Sequence, residues 1–356
     1  MKKYWSVQYL RAVAALLVVV NHAQLHAVNE LQFFFVRLGS FGVLLFFVIS
    51  GFIMVTMTSE GRFDGGAFLR RRIERVVPLY WLATAFVAML AVIAPDLLKN
   101  TSFSIEGLVK SLLFIPYQRG NGEIVPLLKL GWTLNYEMFF YLLFAAFCRT
   151  GAGFRVVMIS AILAILAVIG IWIPKSATIL FFFTRPVALS FAIGMVVGLA
   201  YQRGLLTRQL GPATAHAVIA GALVIGLGLT AAGLTVLPGT LFDPRIDLCF
   251  ALAASAFIAA GLIAEPTLYH SRLGLALGDA SYSIYLVHLY VVALLIKLLA
   301  MLGPAGLATR IPIALVFASL AGLAIHRLVE RPIMRFFQRW RQRLDQTVEA
   351  GTHGRG

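Results

Sequence analysis

Charged residues are scarce in this chain, and acidic ones are the scarcest. Asp and Glu together number 15 among 356 residues, against 30 Lys and Arg, while 60% of the residues are hydrophobic. Soluble globular chains carry about 25% charged residues, so this composition excludes an ordinary soluble domain. The shortage of charge leaves long apolar runs uninterrupted, and a bilayer-spanning helix requires about 20 mostly apolar residues.

Cysteine is nearly absent, which excludes a fold held together by disulfides. The two cysteines, Cys148 and Cys249, lie at the ends of predicted spans that open onto opposite membrane faces, so a bridge between them is geometrically excluded. Neither has the local spacing of a metal site, and no metal is predicted. A cleaved signal peptide is not expected, because Arg11 interrupts the first apolar run and no small-residue cleavage site follows.

The apolar runs predict an all-α integral membrane protein of about ten transmembrane helices. The expected spans are 7–27, 39–58, 78–95, 132–148, 154–173, 178–201, 213–233, 247–264, 282–302 and 311–330. Most loop Lys and Arg residues then lie on the side of the two termini, which the positive-inside rule makes cytoplasmic. The net charge of +15 comes mostly from basic residues at the ends of the spans, where they meet anionic lipid head groups. Nucleic acid is therefore not an expected partner.

A single transmembrane domain accounts for residues 1–335. Residues 336–356 are polar and predict a disordered cytoplasmic tail, and Pro332 is expected to stop the last helix. The long connection 96–131 contains an amphipathic piece from Ile105 to Pro116, which is expected to lie along the membrane interface or dip into the protein.

The first span carries two ionisable residues, and such residues suggest function because exposing them to lipid is costly. Arg11 and His22 are eleven residues apart, which returns them to nearly the same helical face with a rise of about 16 Å. Imidazole titrates near neutral pH, so His22 is a candidate general base for a hydroxyl. A buried histidine that only hydrogen-bonds a neighbouring helix explains the same pattern.

Two further segments place polar side chains on one face of a helix. Arg72 and Arg75 are an i, i+3 pair before the third span. They either clamp a phosphorylated cytoplasmic ligand, whose geometry a guanidinium matches, or bind lipid phosphates and set the topology. Thr133, Glu137 and Tyr141 recur every four residues in the fourth span. Glu137 either serves a site or pairs with a buried arginine.

The ninth span shows the same kind of polar face. Ser281, Tyr285 and His288 are spaced i, i+4 and i+7, which puts them on one side of a helix. At the end of the last span, Glu330 is expected to neutralise a nearby arginine, and this is a structural role.

In combination these segments resemble acyltransferase family 3, whose members are membrane proteins that transfer acyl groups to exopolysaccharides, O-antigens and some small molecules. The matching motifs are Arg11-x10-His22, Phe47-Val-Ile-Ser-Gly-Phe52, Arg72-Ile-Glu-Arg75 with Pro78 and Tyr80, Trp132-Thr-Leu-Asn-Tyr-Glu137 through Tyr141, and Ser281-Tyr-Ser-Ile-Tyr-Leu-Val-His288. The resemblance covers roughly 5–335 and looks strongest to exopolysaccharide-production acyltransferases.

The resemblance implies an O-acetyltransferase of the bacterial cytoplasmic (inner) membrane. Its donor would be cytoplasmic acyl-CoA, expected to be acetyl-CoA, with no permanently bound cofactor. The acceptor would be a hydroxyl of a polysaccharide or lipid-linked sugar, and a polysaccharide-synthesis complex is an expected partner. Together with the residue patterns, the resemblance gives a hypothesis for the site. His22 would be the general base for the acceptor hydroxyl or briefly an acyl carrier, and Glu137 would orient His22 or balance its imidazolium. The catalytic residues are His22, Arg11 and Glu137, the acyl-CoA-binding residues are Arg72, Arg75 and Tyr80, and the supporting residues are Trp132, Tyr141, Ser281, Tyr285 and His288.

Two other classes of protein remain open at this point. A transporter or flippase for lipid-linked sugar would also carry buried charge in ten helices, although the internal repeat common in transporters is not visible. A scaffold within a polysaccharide-synthesis complex would tolerate substitution of His22. Loss of the thioester from acyl-CoA separates the enzyme from both.

Overall fold

The protein is described here by a computed structural model. It covers residues 4–24, 31–58, 60–95, 98, 101–206, 213–214, 216–217, 220–222, 224–225, 228, 244–265, 269–303 and 306–353. Across these residues the only β pairing is an isolated bridge between Gln118 and Ile124. The all-α prediction is confirmed.

Among the described residues, seven helices are long and apolar enough to cross a membrane. Numbered in chain order, the helices are α1 (Trp5–Ala23), α2 (Leu31–Thr56), α3 (Gly65–Ile93), α4 (Ile105–Leu112), α5 (Trp132–Ala146), α6 (Ala152–Ile169), α7 (Thr178–Phe183), α8 (Leu189–Gln202), α9 (Pro244–Ala264), α10 (Arg272–Asp279), α11 (Ser281–Leu302), α12 (Leu307–Ile325) and α13 (Arg331–His353). The membrane-crossing ones are α1, α2, α3, α6, α9, α11 and the continuous run from α12 into α13. The chain is a multi-pass membrane protein.

Three of the ten predicted spans are not among these seven helices. The span 132–148 forms α5, which has only 15 residues. The span 178–201 is divided into α7 and α8 by the 3-10 turn Pro186–Ala188, because Pro186 lacks the amide hydrogen that a continuous helix requires. The span 213–233 lies for the most part outside the described residues.

The C-terminal end differs from the sequence-based expectation. From α12 the chain continues through a π-helical turn, His326–Glu330, into α13. Pro332 does not stop the helix, because it sits at the start of α13, directly after a widened turn, where its missing amide hydrogen is tolerated. Residues 336–353 are helical where the sequence predicts disorder. Apolar residues recur there every three or four positions among polar and basic ones, at 336, 337, 340, 344 and 348, a pattern typical of an amphipathic helix.

Close contact between α2 and α8 fixes the centre of the bundle. A Cβ atom on Gly51 would lie 2.1 Å from the carbonyl oxygen of Phe191, and one on Gly194 would lie 2.0 Å from that of Val48. Only glycine permits this approach, which is typical of packed membrane helices. The ring of Phe47 stacks on Phe191 beside the same crossing, with 4.5 Å between ring centroids. The Phe47–Phe52 motif is therefore part of the helix interface.

The position of α1 brings the polar helix faces together. This helix packs against α2, α9, α10, α11 and α12, while α3 packs against both α5 and α11. Because α1 is enclosed by protein, its ionisable residues face other helices rather than lipid. The faces predicted on α1, α3, α5 and α11 converge on one region between these helices.

Candidate functional site

A cavity of about 200 Å³ lies where these four polar faces meet α2. Eleven of its twenty lining residues have side chains with hydrogen-bonding groups, and the others are apolar. The eleven are Gln8, Arg11, Ser50, Arg72, Arg75, Thr133, Glu137, Tyr141, Ser281, Tyr282 and Tyr285. The prediction that Arg72 shares a face with Arg75, and Thr133 with Glu137 and Tyr141, is confirmed. We call this space the central cavity.

Three arginines of the central cavity have N–H groups that make no hydrogen bond within the described structure. Arg11 is buried and donates one hydrogen bond, from Nη1 to Gln8 Oε1 at 3.3 Å. Arg72 lies over the rings of Phe68 and Tyr141, but its only hydrogen bond within the described chain is to the sulfur of Met57, 3.6 Å from Nη2, and its buried Nε has no partner there. Arg75 has no hydrogen-bond or ion-pair partner among the residues that the structure describes. Because each guanidinium carries five N–H donors, the cavity is suited to an anionic or oxygen-rich ligand.

Glu137 is the carboxylate of the central cavity. Its Oε1 accepts hydrogen bonds from the Tyr141 hydroxyl and from Ser50 Oγ, the latter at 3.4 Å. No arginine or lysine of the described chain lies within ion-pairing distance of it, so the alternative of a direct Glu137–arginine pair is not what forms. The hydroxyls hold the carboxylate in place while leaving it exposed to whatever enters the cavity.

The two histidines of the site form a pair outside the cavity wall. The rings of His22 and His288 are 5.1 Å apart between centroids. His288 is fully buried, with Nδ1 2.7 Å from the carbonyl oxygen of Tyr285, and its Nε2 has no partner. A carbonyl oxygen can only accept, so Nδ1 must carry the proton. Nε2 of His288 therefore presents a lone pair in the buried interior, beside His22.

Tyr285 separates the central cavity from the histidine pair. Its hydroxyl lies 2.8 Å from Thr133 Oγ1 and donates to the carbonyl oxygen of Leu130 at 3.0 Å. The same ring lines the cavity on one side and contacts His288 on the other, with 5.9 Å between ring centroids. The arginines and the histidines thus lie on opposite sides of one tyrosine.

Lys129 belongs to the short 3-10 turn that leads into α5. Its Nζ lies 2.8 Å from Glu123 Oε1, and this hydrogen bond is the main reason that the pKa of Glu123 lies below its ordinary value. The pair anchors the loop that ends at the start of α5.

Comparison with known proteins identifies the family of the chain. The sequence model of a family described as an acyltransferase domain matches residues 4–327. The chain belongs to acyltransferase family 3. It is 34% identical over 321 residues to the exopolysaccharide production protein ExoZ of Rhizobium meliloti, covering 89% of this chain and 95% of that protein. It is 26% identical over 340 residues to the acyltransferase MdmB of Streptomyces mycarofaciens, covering 85% and 83%. No solved structure matches the chain.

Two residues assigned to the site of this acyltransferase lie elsewhere. Tyr80 is fully buried, donates from its hydroxyl to the carbonyl oxygen of Ser111 at 3.0 Å, and stacks on Phe114. It therefore anchors α4, the predicted amphipathic piece, and its assignment to acyl-CoA binding is not supported. Trp132 packs edge-on against Phe47 and does not line the central cavity.

Glu137 and His22, both assigned to catalysis from the sequence, are not linked directly. Glu137 lies among the arginines, and no hydrogen bond through which it could orient His22 joins the two in the described structure. Ser50 lies beside Glu137 and was not predicted as a site residue, although it belongs to the Phe47–Phe52 motif and is the one polar side chain in the stretch 42–53. A lone hydroxyl in an apolar span was the signal that could have found it.

Proposed function

We propose that this acyltransferase moves an acyl group, most simply acetyl, from cytoplasmic acyl-CoA to a hydroxyl of a polysaccharide or lipid-linked sugar. The observation that carries the proposal is the convergence of Arg11, Arg72 and Arg75, with unspent donors, on a cavity next to a histidine pair. The name of the relative ExoZ, an exopolysaccharide production protein, supports a carbohydrate acceptor.

The size of the central cavity supports entry of only the reactive end of the donor. Drug-sized ligands occupy pockets of about 300–1,000 Å³, and the cavity of about 200 Å³ is smaller. It suits an acetyl thioester with part of its pantetheine arm. The phosphates of CoA would then lie outside it, on the side of Arg75, where guanidinium groups match phosphate geometry.

In the proposed reaction, His22 takes the proton from the acceptor hydroxyl. The acceptor oxygen forms a bond to the acyl carbonyl carbon, the carbon–sulfur bond breaks, and CoA leaves as a thiolate that takes up a proton from the imidazolium. His288 packs against His22 with its Nε2 lone pair unused, so it can accept a proton from His22 or fix its ring. Because Tyr285 lies between donor and base, its side chain has to move for transfer.

The topology that suits this reaction has ten spans, both termini in the cytoplasm, and the protein in the bacterial inner membrane. The excess of basic residues on that side supports this orientation. The donor would then enter from the side of Arg75, and the acceptor would approach the histidine pair from the side of Lys129.

The test uses the purified protein in detergent, with three forms compared: wild type, His22→Ala, and the double variant Arg72→Ala with Arg75→Ala. Equilibrium binding of acetyl-CoA and loss of its thioester are both measured. We expect saturable binding by wild type and His22→Ala, loss of binding in the arginine variant, and loss of transfer in both variants.

A transporter or scaffold would give a different result in the same experiment. If the wild type binds no acyl-CoA and cleaves no thioester, the donor assignment fails. If His22→Ala retains full transfer, the mechanism fails while the family membership stands.

A further inference from the structure

A second cavity, of about 300 Å³, adjoins the central cavity near the N-terminal end of α1. Gln8, Arg11 and Arg75 line both spaces, so the two are separated only by these side chains. The outer wall of the second cavity is formed by the π-helical turn and the first turns of α13. We call this space the arginine cavity.

The arginine cavity carries an excess of positive charge. Four arginines, Arg11, Arg75, Arg331 and Arg335, face two carboxylates, Asp279 and Glu330. The charge of Glu330 is already engaged, because its Oε2 lies 2.8 Å from His326 Nδ1 and accepts from Ser283 Oγ at 2.6 Å. The prediction that Glu330 neutralises an arginine is therefore wrong about the direct partner, which is His326.

Arg331 and Arg335 contribute two guanidinium groups to this wall from α13. They are spaced i, i+4 and so project from one face of α13. Both are exposed, and neither has a hydrogen-bond or ion-pair partner within the described part of the chain. Arg341, on the same helix, is different, because its Nη1 pairs with Glu74 at 3.2 Å. An arginine of α13 can thus form an ion pair with another helix, whereas the two at the opening of the cavity form none within the described structure.

We propose that the arginine cavity binds the phosphorylated nucleotide end of acyl-CoA, with Arg331 and Arg335 contacting phosphate groups. The inference rests on the proposed function and adds to it residues that no motif of the sequence singled out. One extended ligand fits the arrangement: the thioester lies in the central cavity, the pantetheine arm passes Gln8 and Arg75, and the phosphates reach α13. Guanidinium is the side chain best matched to phosphate oxygens.

The π-helical turn is consistent with this role. Such turns insert an extra residue into a helix and are frequent at functional sites. Here the turn ends at Glu330, directly before Arg331, and from there the cavity-lining residues Arg331, Met334, Arg335 and Gln338 follow helical spacing along α13.

The experiment compares two donors that differ only in the nucleotide end. Acetyl-CoA and S-acetylpantetheine, which lacks the phosphates and adenosine, are titrated against the full-length protein in detergent. The variant is Arg331→Ala with Arg335→Ala. The matched control is Arg339→Ala, an exposed arginine of the same helix that lines neither cavity.

We expect the double variant to bind acetyl-CoA about tenfold or more weakly than wild type, as expected for lost hydrogen bonds between charged groups. Its affinity for S-acetylpantetheine should match that of the wild type. The control should match the wild type for both ligands. The double replacement Arg331→Lys with Arg335→Lys keeps the charge and should restore part of the affinity. Because both arginines are exposed, the melting temperature should not change.

Equal acetyl-CoA affinities in wild type and double variant would overturn the inference and leave the proposed function intact. A phosphate could also come from an anionic lipid head group. If the variant loses co-purified anionic lipid while its acetyl-CoA affinity is unchanged, the site belongs to lipid and the inference is overturned. If the wild type binds no acetyl-CoA, the proposed function fails first, and the inference fails with it.

Discussion

Arg155 and Arg11 are both buried arginines, and the protein uses their guanidinium groups differently. Arg155 is fully buried and donates to four oxygens. These belong to Thr58, Gly61, Phe147 and Thr150, at 2.6 to 3.3 Å. Arg11 donates one hydrogen bond, to Gln8, and lines both the central cavity and the arginine cavity.

The difference lies in what happens to the donors. Arg155 donates its hydrogen bonds to the loops that join α2 to α3 and α5 to α6, so its guanidinium holds these two loops together. Arg11 keeps most of its donors, and a buried charge without partners costs free energy. A cavity that retains such a charge is organised for a ligand that supplies the missing oxygens. The number of satisfied donors, rather than burial, separates Arg155 from Arg11, the arginine that we propose to act in the site.

The largest effect should come from Arg155→Met. Removing the buried guanidinium breaks four hydrogen bonds that join two loops, which we expect to lower stability by about 3–5 kcal/mol. The measurement is the apparent melting temperature in detergent, with the exposed neighbour Arg149→Met as control. The acetyl-CoA affinity of the folded fraction should be unchanged. A variant with wild-type melting would contradict the structural role.

Arg11→Met should have the opposite signature. We expect transfer to fall about 30- to 100-fold, or about 2–3 kcal/mol in transition-state stabilisation. The melting temperature should be unchanged or higher, because an incompletely paired buried charge is replaced by an apolar chain. Initial rates of acetyl transfer and melting curves are measured on the same preparation. Full activity combined with a large loss of stability would erase the distinction between the two arginines.

Tyr141→Phe tests the smaller contribution of a residue that holds Glu137. The change removes the hydroxyl that donates to this carboxylate, and we expect kcat/KM to fall about tenfold. Tyr136→Phe is the matched control, since that hydroxyl of the same helix donates to the carbonyl oxygen of Phe182. The control should change the melting temperature and leave kcat/KM as it is. Equal losses of kcat/KM in both would assign Tyr141 to packing.

Glu123→Gln should have the smallest effect. The pair with Lys129 is partly exposed, and such pairs contribute about 1 kcal/mol or less. Because the folded pKa of Glu123 is lowered, mainly by the hydrogen bond from Lys129, this contribution is present above its unfolded value of about 4.3. It is lost as the pH falls through the lower folded value. Melting temperatures of wild type and variant should differ slightly at pH 7 and converge in acid, and a constant difference would refute the assignment.

Several site residues could be predicted because helical periodicity fixes which side chains share a face. Arg72 with Arg75, and Thr133 with Glu137 and Tyr141, reached the central cavity as the spacing predicts. Tyr80 belongs to the same matched motif as the arginine pair, but its hydroxyl contacts α4, because membership of a motif does not fix the direction of each side chain. The prediction that Pro332 stops the last helix is wrong, because the π-helical turn directly before α13 lets the helix continue through the proline. Such a turn has no clear sequence signature.

The sequence by itself determined that the chain enters a membrane, because its apolar runs contain few charged residues and are long enough to span a bilayer. It also determined the polar faces, since the helical repeat is a local property of the backbone. Only the tertiary structure decided which faces meet: that Glu137 joins the arginines rather than His22, that His288 lies beside His22, and that α13 returns to the end of α1. Helix packing depends on side chains brought together from distant parts of the chain, and spacing within one helix does not contain that information.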